Sequence, residues 1–143
     1  MIKLIFCIAR AESLSTHAFR RYWKEKHTPL GFHLAKKTGA VYFSRNTTLT
    51  LDMNSELNLL FGSSVPPYDG VGEVVWDDTT TIQGILENPA LLHQIEEIKH
   101  SLLEFTDPNR SVIFFTEVDE VPLGESDSVF PDLESYKQKR TTT

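Results

Sequence analysis

The stretch IKLIFCIA, residues 2–9, decides how this chain folds. Its residues are mostly β-branched, aliphatic or aromatic, a composition typical of a strand that is covered on both faces. The stretch RSVIFFTEV, residues 110–118, has the same character. In each stretch apolar side chains stand next to each other, Phe6 beside Cys7 and Phe114 beside Phe115. Because neighbouring strand residues point to opposite faces, both faces of the sheet need cover.

A first helix is predicted after the first strand. Ser15 is a suitable N-cap for it. Its apolar side is formed at helical spacing by Ala18, Phe19, Tyr22 and Trp23. Pro29 disfavours helix at the residue before it, so we expect this helix to end at about His27. One further helical turn is expected within residues 30–39, where Gly39 ends it.

The second helix is the clearest element. Asn88 is expected to cap it, and Pro89 to occupy its first helical position. Its apolar residues recur at helical intervals: Leu91, Leu92, Ile95, Ile98, Leu102 and Phe105. A short turn is predicted before it, in residues 80–87.

The middle of the chain adds two more strands. Residues 40–51 and 71–78 are rich in residues that favour strands. Residues 52–69 carry a glycine and two prolines and are predicted to form a long loop with at most one helical turn. The order β-α-β-β-α-β is the ferredoxin-like pattern, an α+β fold with a four-stranded antiparallel sheet and both helices on one face. We predict one such domain over residues 1–118 and an extended tail over residues 119–143.

The sheet face without helices needs a cover of its own. A second copy of the chain would provide it, with the two sheets closing into a dimeric α+β barrel. The alternative is that the tail folds across this face.

Composition excludes some partners. The chain has 143 residues and a formal net charge of −6, which argues against nucleic acid because phosphate binding requires a basic face. The apolar run at the start is too short to span a membrane and has no cleavage site, so we expect a cytoplasmic protein without a membrane partner. The one cysteine, Cys7, cannot form an internal disulfide, which fits a reducing compartment.

Two motifs carry a family resemblance. The first, F-x-x-Y-W-x-x-x-H-x-P-L, is formed by Phe19, Tyr22, Trp23, His27, Pro29 and Leu30. The second, YDG-x-x-E-x-x-W-D, runs from Tyr68 to Asp77. With these motifs, residues 2–118 resemble the EthD-type members of the dimeric α+β barrel superfamily. The resemblance implies that barrel, a homodimer, and an activity similar to that of fungal polyketide-pathway EthD decarboxylases and dehydratases.

His27 is the first candidate for chemistry. It follows Trp23 by four residues and Phe19 by eight, so it shares the apolar face of the helix. Burial favours the neutral ring, whereas a helix C-terminus favours the cation, so we expect a histidine that titrates near neutral pH and acts as general acid or base. The alternative is that His27 only bonds a carbonyl at the helix end. The resemblance marks its position in the motif most clearly.

Other side chains are candidates for supporting roles. His33 lies six residues beyond His27 and is either its acid–base partner or an exposed histidine. Tyr42 and Tyr68 are possible phenol donors to a developing enolate, and Asp69 and Glu73 are carboxylates that would orient a histidine or act as base. Each also has a purely structural interpretation.

An apolar cavity is expected beside these groups. Its predicted lining comprises Tyr22, Trp23, Phe43, Phe61, Tyr68, Glu73 and Trp76, with residues 52–69 as a lid. Such a lining suits a flat, hydrophobic, oxygenated small molecule, and the resemblance implies that it is aromatic or polyketide-derived. The sequence has no metal-ligand spacing and no phosphate loop, and GVG at residues 70–72 is too short to count as one.

These observations predict a lyase or cyclase that needs no metal or organic cofactor. The expected reaction is decarboxylation, dehydration or aldol cyclisation by proton transfer through His27. The alternatives are an isomerase or a cofactor-free oxygenase on the same scaffold, and a binding protein for a reactive intermediate.

Overall fold

The computed structural model describes residues 1–123, 134, 137 and 138. Its four-stranded sheet contains β1 (Ile2–Ile8), β2 (Tyr42–Thr47), β3 (Gly70–Trp76) and β4 (Val112–Glu117). The spatial order is β2-β3-β1-β4, and every neighbouring pair is antiparallel. This is the predicted α+β ferredoxin-like fold, which is therefore confirmed. The predicted C-terminal tail lies largely outside the described residues.

The first helix does not end before Pro29, so that prediction was wrong. Helix α1 (Thr16–Tyr22) continues through a π-helical turn (Trp23–His27) into α2 (Thr28–Lys37). The backbone N–H of Thr28 bonds the Trp23 carbonyl five residues earlier, and the Thr28 hydroxyl donates to the same oxygen at 2.6 Å. A proline ring normally clashes with the carbonyl four residues before it. The wider π turn gives the ring room, and the chain stays helical.

The loop predicted over residues 52–69 was also wrong in part. Residues Asp52–Leu60 form a nine-residue helix, α3. None of its residues is buried, and the large apolar side chains Leu59, Leu60 and Phe61 are more than two-thirds exposed. Apolar residues at helical spacing, Met53, Leu57 and Leu60, are present in this segment, but the glycine and two prolines that follow them favoured a loop.

The remaining helices agree with the sequence. Helix α4 (Thr80–Gln83) is the short turn expected there, and α5 (Pro89–Phe105) begins as predicted, with the Asn88 side chain accepting a hydrogen bond from the Ala90 N–H at 3.1 Å. Helices α2 and α5 pack together over one face of the sheet. The largest buried side chains, Phe19 and Phe105, lie where α1 meets α5.

The other face of the sheet is left uncovered by the part of the chain that the structure describes, and it is mixed in character. By strand alternation it carries Lys3, Ile5, Cys7, Tyr42, Ser44, Glu73 and Phe114. Lys3 and Glu73 form an ion pair in its middle, at 3.3 Å. The edge strand β4 is exposed on both sides, since Ile113 is 56% exposed and Phe114 44%. On this face of the sheet, exposed apolar side chains of β4 therefore lie at the edge, and the Lys3–Glu73 ion pair lies at the centre.

Candidate active site

A cavity of about 420 Å³ lies between the sheet and the helices α2 and α5. Most of its lining is aliphatic or aromatic, with Leu4 and Phe6 on the sheet side and Ile98 and Leu102 on the helix side. The bordering residues with ionisable side chains are His27, Arg45, Glu73 and Lys99. The space is thus a mainly apolar chamber with few charged groups, as small-molecule sites usually are.

His27 ends the π-helical turn and points into the interior. Its side chain is 7% exposed, and its ring lies 5.0 Å from the Phe105 ring between centroids. The Nδ1 atom is 2.9 Å from the Ser101 hydroxyl oxygen of α5. The ring borders the cavity, and within the described part of the chain Nε2 makes no hydrogen bond. Nε2 is therefore the nitrogen that a ligand would meet.

Burial lowers the pKa of His27 to about 4. The expected opposing effect of a helix C-terminus is absent, because the helix continues to Lys37. A desolvated imidazole without a nearby carboxylate keeps its neutral form. At neutral pH the cavity therefore contains an uncharged imidazole.

This pKa predicts an acid sensitivity. The unfolded chain protonates His27 near its model value of 6.5, but the folded chain only near 4, so protons favour the unfolded state in that window. We expect His27 to remove about 3 kcal/mol from the free energy of unfolding between pH 7 and pH 4. Denaturant titrations at both pH values give the free energies of unfolding of wild type and His27→Gln. The excess of the wild-type value over the variant value should fall by that amount from pH 7 to pH 4, because glutamine does not titrate. A difference that is independent of pH would contradict the low pKa.

Four of the predicted site residues border the cavity together with His27. They are Trp23, Phe43, Glu73 and Trp76. The Trp76 indole is fixed by donating its N–H to the Thr38 hydroxyl at 3.0 Å. The Glu73 carboxylate is engaged by Lys3 and by the Ser44 hydroxyl, which lie on the uncovered side of the sheet. Glu73 is therefore a structural ion-pair partner in this arrangement.

The other predicted site residues lie outside the cavity. His33, Tyr42, Phe61 and Tyr68 are exposed. His33 is about one and two-thirds helical turns beyond His27, so it emerges on a different side of the helix. Tyr42 lies on the uncovered sheet face, by alternation along β2.

Two more of the predicted residues have structural partners. Tyr22 stacks on Phe105, with ring centroids 5.1 Å apart. The Asp69 carboxylate accepts the backbone N–H of Arg10 at 2.7 Å, which ties the start of β3 to the end of β1. Neither side chain lines the chamber that His27 borders.

The structure also brings in polar residues that were not predicted. Ser101 lies on the apolar side of α5, between Ile98 and Phe105. A polar residue on that apolar side is the feature of the sequence that could have indicated a buried partner for His27. Arg45 and Thr28 border the cavity, and the Arg45 Nη1 atom donates to the Thr28 hydroxyl at 3.1 Å. No sequence pattern relates these two positions.

Two further properties concern the described residues as a whole. No group of three or more His, Cys, Asp or Glu side chains among them is placed to hold a metal ion. None of their helices has the length and apolar character needed to cross a membrane. The cytoplasmic location expected from the sequence stays a prediction.

The chain was compared with known families. The family model of the EthD domain matches residues 11–107, a span that contains the π-helical turn, β3 and nearly all of the cavity's helical side. This chain belongs to the EthD family. No curated protein matches the sequence.

Solved structures support the fold. An EthD family protein from Bacillus halodurans superposes with a TM-score of 0.56 at 16% identity, covering 83% of this chain and 99% of its own. A dimeric ferredoxin-like protein of unknown function from Jannaschia gives a TM-score of 0.55 at 11% identity, with 82% and 98% covered. A variant of SnoaB, a cofactor-independent oxygenase from Streptomyces nogalater, gives 0.51 at 11% identity, with 85% and 96% covered. At these identities the likeness concerns the fold of the EthD chain.

Proposed function

We propose that this EthD-family chain is a cofactor-independent enzyme, a lyase or cyclase that transfers a proton next to a carbonyl group of an aromatic, polyketide-type substrate. The observation that carries the proposal is the His27 imidazole, buried at the wall of an apolar cavity, whose Nε2 has no hydrogen-bond partner among the described residues. A buried histidine whose second nitrogen is hydrogen-bonded to a hydroxyl has the arrangement of a positioned acid–base group.

The direction of the hydrogen bond between His27 and Ser101 depends on which ring nitrogen of His27 carries the proton. Among the described residues the Ser101 hydroxyl has no hydrogen-bond partner besides Nδ1 of His27. When the hydroxyl donates to Nδ1, the ring proton lies on Nε2, and Nε2–H donates to a developing enolate oxygen. When the hydroxyl rotates and accepts from Nδ1–H, Nε2 has a lone pair and removes a proton from carbon. The two tautomers thus offer a proton donor or a proton acceptor at Nε2, and passing from one to the other requires the ring proton to leave one nitrogen and a proton to bind the other while the hydroxyl reorients.

The walls of the cavity support a flat, hydrophobic substrate. Trp76 and Phe43 border it from the sheet, and Trp23 from the π-helical turn. Aromatic walls stack on planar rings, and an apolar surrounding strengthens each polar contact made inside it. A small, strongly hydrated molecule would find few partners there.

We also propose a homodimer formed through the uncovered sheet face. The exposed apolar residues of β4 support it, because such a strand edge is a template for association. The Jannaschia neighbour is described as dimeric, which agrees with this assembly. A monomeric mass in sedimentation equilibrium would contradict it.

The proposed proton transfer is testable with one probe. Dithranol, a hydroxylated anthrone, has an acidic C–H in its central ring, opposite the carbonyl and conjugated with it through the flanking aromatic rings. We expect the protein in D₂O under nitrogen to accelerate deuterium exchange at that carbon at least about 100-fold over buffer, as measured by mass spectrometry. A protein that binds dithranol without accelerating exchange would overturn the enzyme proposal in favour of a binding protein.

An oxygenase is the second candidate. Removal of the same proton gives a carbanion that O₂ can attack, and SnoaB, a structural neighbour, is described as a cofactor-independent oxygenase. The dithranol experiment repeated in air separates the two. Protein-dependent formation of the anthraquinone would favour the oxygenase, whereas exchange without oxidation beyond the buffer rate would favour the lyase or cyclase.

A further inference from the structure

We propose that Arg45 is a carboxylate-binding residue in the cavity, so that the substrate is an aromatic acid that is ionised at neutral pH. This inference deepens the proposed function by naming the substrate class of the same site. Three observations support it: the position of Arg45 on the sheet, the absence of a counter-ion among the described residues, and the hydrogen bond to Thr28.

Arg45 lies on the side of the sheet that faces the helices. In β2 it pairs with Gly72 of β3, and Gly72 pairs in turn with Phe6 of β1, one of the residues that line the cavity. Gly72 and Arg45 both border the cavity on this face. The guanidinium reaches across to α2, where Nη1 donates to the Thr28 hydroxyl.

The Arg45 charge has no counter-ion in the described part of the chain. No carboxylate there lies within ion-pair distance of it, and its side chain makes no hydrogen bond apart from the one to Thr28. Glu73, which also borders the cavity, is already paired with Lys3. A partly buried cation on an apolar wall is costly unless an anion compensates it. The remaining N–H groups of the guanidinium form a planar fork that matches a carboxylate.

Thr28, the helix residue that directly follows His27, is hydrogen-bonded to this cation. Its hydroxyl accepts from Arg45 and donates to the Trp23 carbonyl, so both of its roles are filled and its orientation is fixed. Thr28 directly follows His27 in the chain, at the end of the π-helical turn. A ligand anchored by its carboxylate at Arg45 would therefore lie in the same cavity that His27 borders.

The test compares two ligands of the same shape. We expect the wild-type protein to bind anthraquinone-2-carboxylate about 10-fold to 100-fold more tightly than anthraquinone-2-carboxamide, as measured by calorimetry. Arg45→Gln should lose this preference, and Arg45→Lys should keep part of it, since lysine retains the charge but not the fork. The matched control is Arg21→Gln, because Arg21 is an exposed cation paired with Glu25. It should keep the full preference.

Equal affinity of wild type for the two ligands would overturn the inference, and this comparison requires no variant. An Arg45→Gln protein that loses both ligands equally would also overturn it, because that result indicates a structural role. Dithranol has no carboxylate, so its exchange reports on proton transfer alone. A carboxylate preference without dithranol exchange would reject the proposed reaction and leave the anion site intact.

Discussion

Replacing His27 by glutamine is expected to slow the deuterium exchange of dithranol by about 100-fold to 10,000-fold. Glutamine is similar in length, and its amide can still bond Ser101, but it has no basic nitrogen to accept a proton. His27→Ala should lose the same activity and also leave a space beside Phe105, whose ring His27 contacts. The measurement is the initial exchange rate under nitrogen, at protein concentrations that saturate the probe.

Two further variants test the assignment. His33→Gln removes an exposed imidazole from the same continuous helix, and its exchange rate should stay within about twofold of wild type. Ser101→Ala removes the partner of Nδ1, and we expect about a tenfold loss with a changed pH dependence of the rate. Ser101→Thr, which keeps the hydroxyl, should restore much of the exchange rate that Ser101→Ala loses. If folded His27→Gln exchanged dithranol at the wild-type rate, His27 would not be the catalytic group.

Local chemistry predicted the framework of the fold. The apolar runs at 2–9 and 110–118 are strands because β-branched and aromatic residues suit a pleated, covered surface. Ser15 and Asn88 each accept a backbone N–H at a helix start, at 3.0 and 3.1 Å, as their residue types indicate. Such signals depend on neighbours in the chain, so they can be read without knowing the fold.

The two corrections concern the helix around Pro29 and the helix over residues 52–60. Pro29 ends a regular helix, but a π-helical turn stabilised by the Thr28 hydroxyl accommodates it. Helix α3 was missed for another reason: its apolar residues Met53, Leu57 and Leu60 stand at helical spacing, but the glycine and two prolines that follow them outweighed that signal. At Pro29 the sequence rule was sound for an average environment, and a specific hydrogen bond set the outcome.

The candidate site was predictable only in part. The spacing of His27 from Trp23 and Phe19 places it on the buried side, where the structure has it. Its partner Ser101 comes from the other helix, 74 residues later, and Arg45 meets Thr28 across the gap between β2 and α2. Contacts of this kind depend on how elements pack, and no periodicity within one element encodes them. His33 failed to join the site because six residues is the wrong helical phase.

The glycines of GVG, residues 70–72, have a role that their sequence did not disclose. A Cβ atom at Gly70 would lie 2.2 Å from Cζ3 of Trp23 and 2.9 Å from the backbone oxygen of Asn46. The Trp23 indole is 4% exposed and packs against Phe19 and Phe105, so it has little freedom to withdraw. Because Gly70 has no side chain, the Trp23 indole packs directly against the sheet at this position, beside the π-helical turn that contains His27.

We therefore expect Gly70→Ala to lower the free energy of unfolding by about 2 to 3 kcal/mol, as measured by chemical denaturation. The matched control is Gly72→Ala in the same strand. A Cβ there meets Phe6 at 3.6 Å and Trp23 at 3.7 Å, which is ordinary contact, so the change should stay below about 1 kcal/mol. Because overpacking at Gly70 must displace Trp23, Gly70→Ala should also weaken binding of anthraquinone-2-carboxylate and its carboxamide together. Equal stability of the two variants would show that the indole moves freely and that Gly70 does not position it.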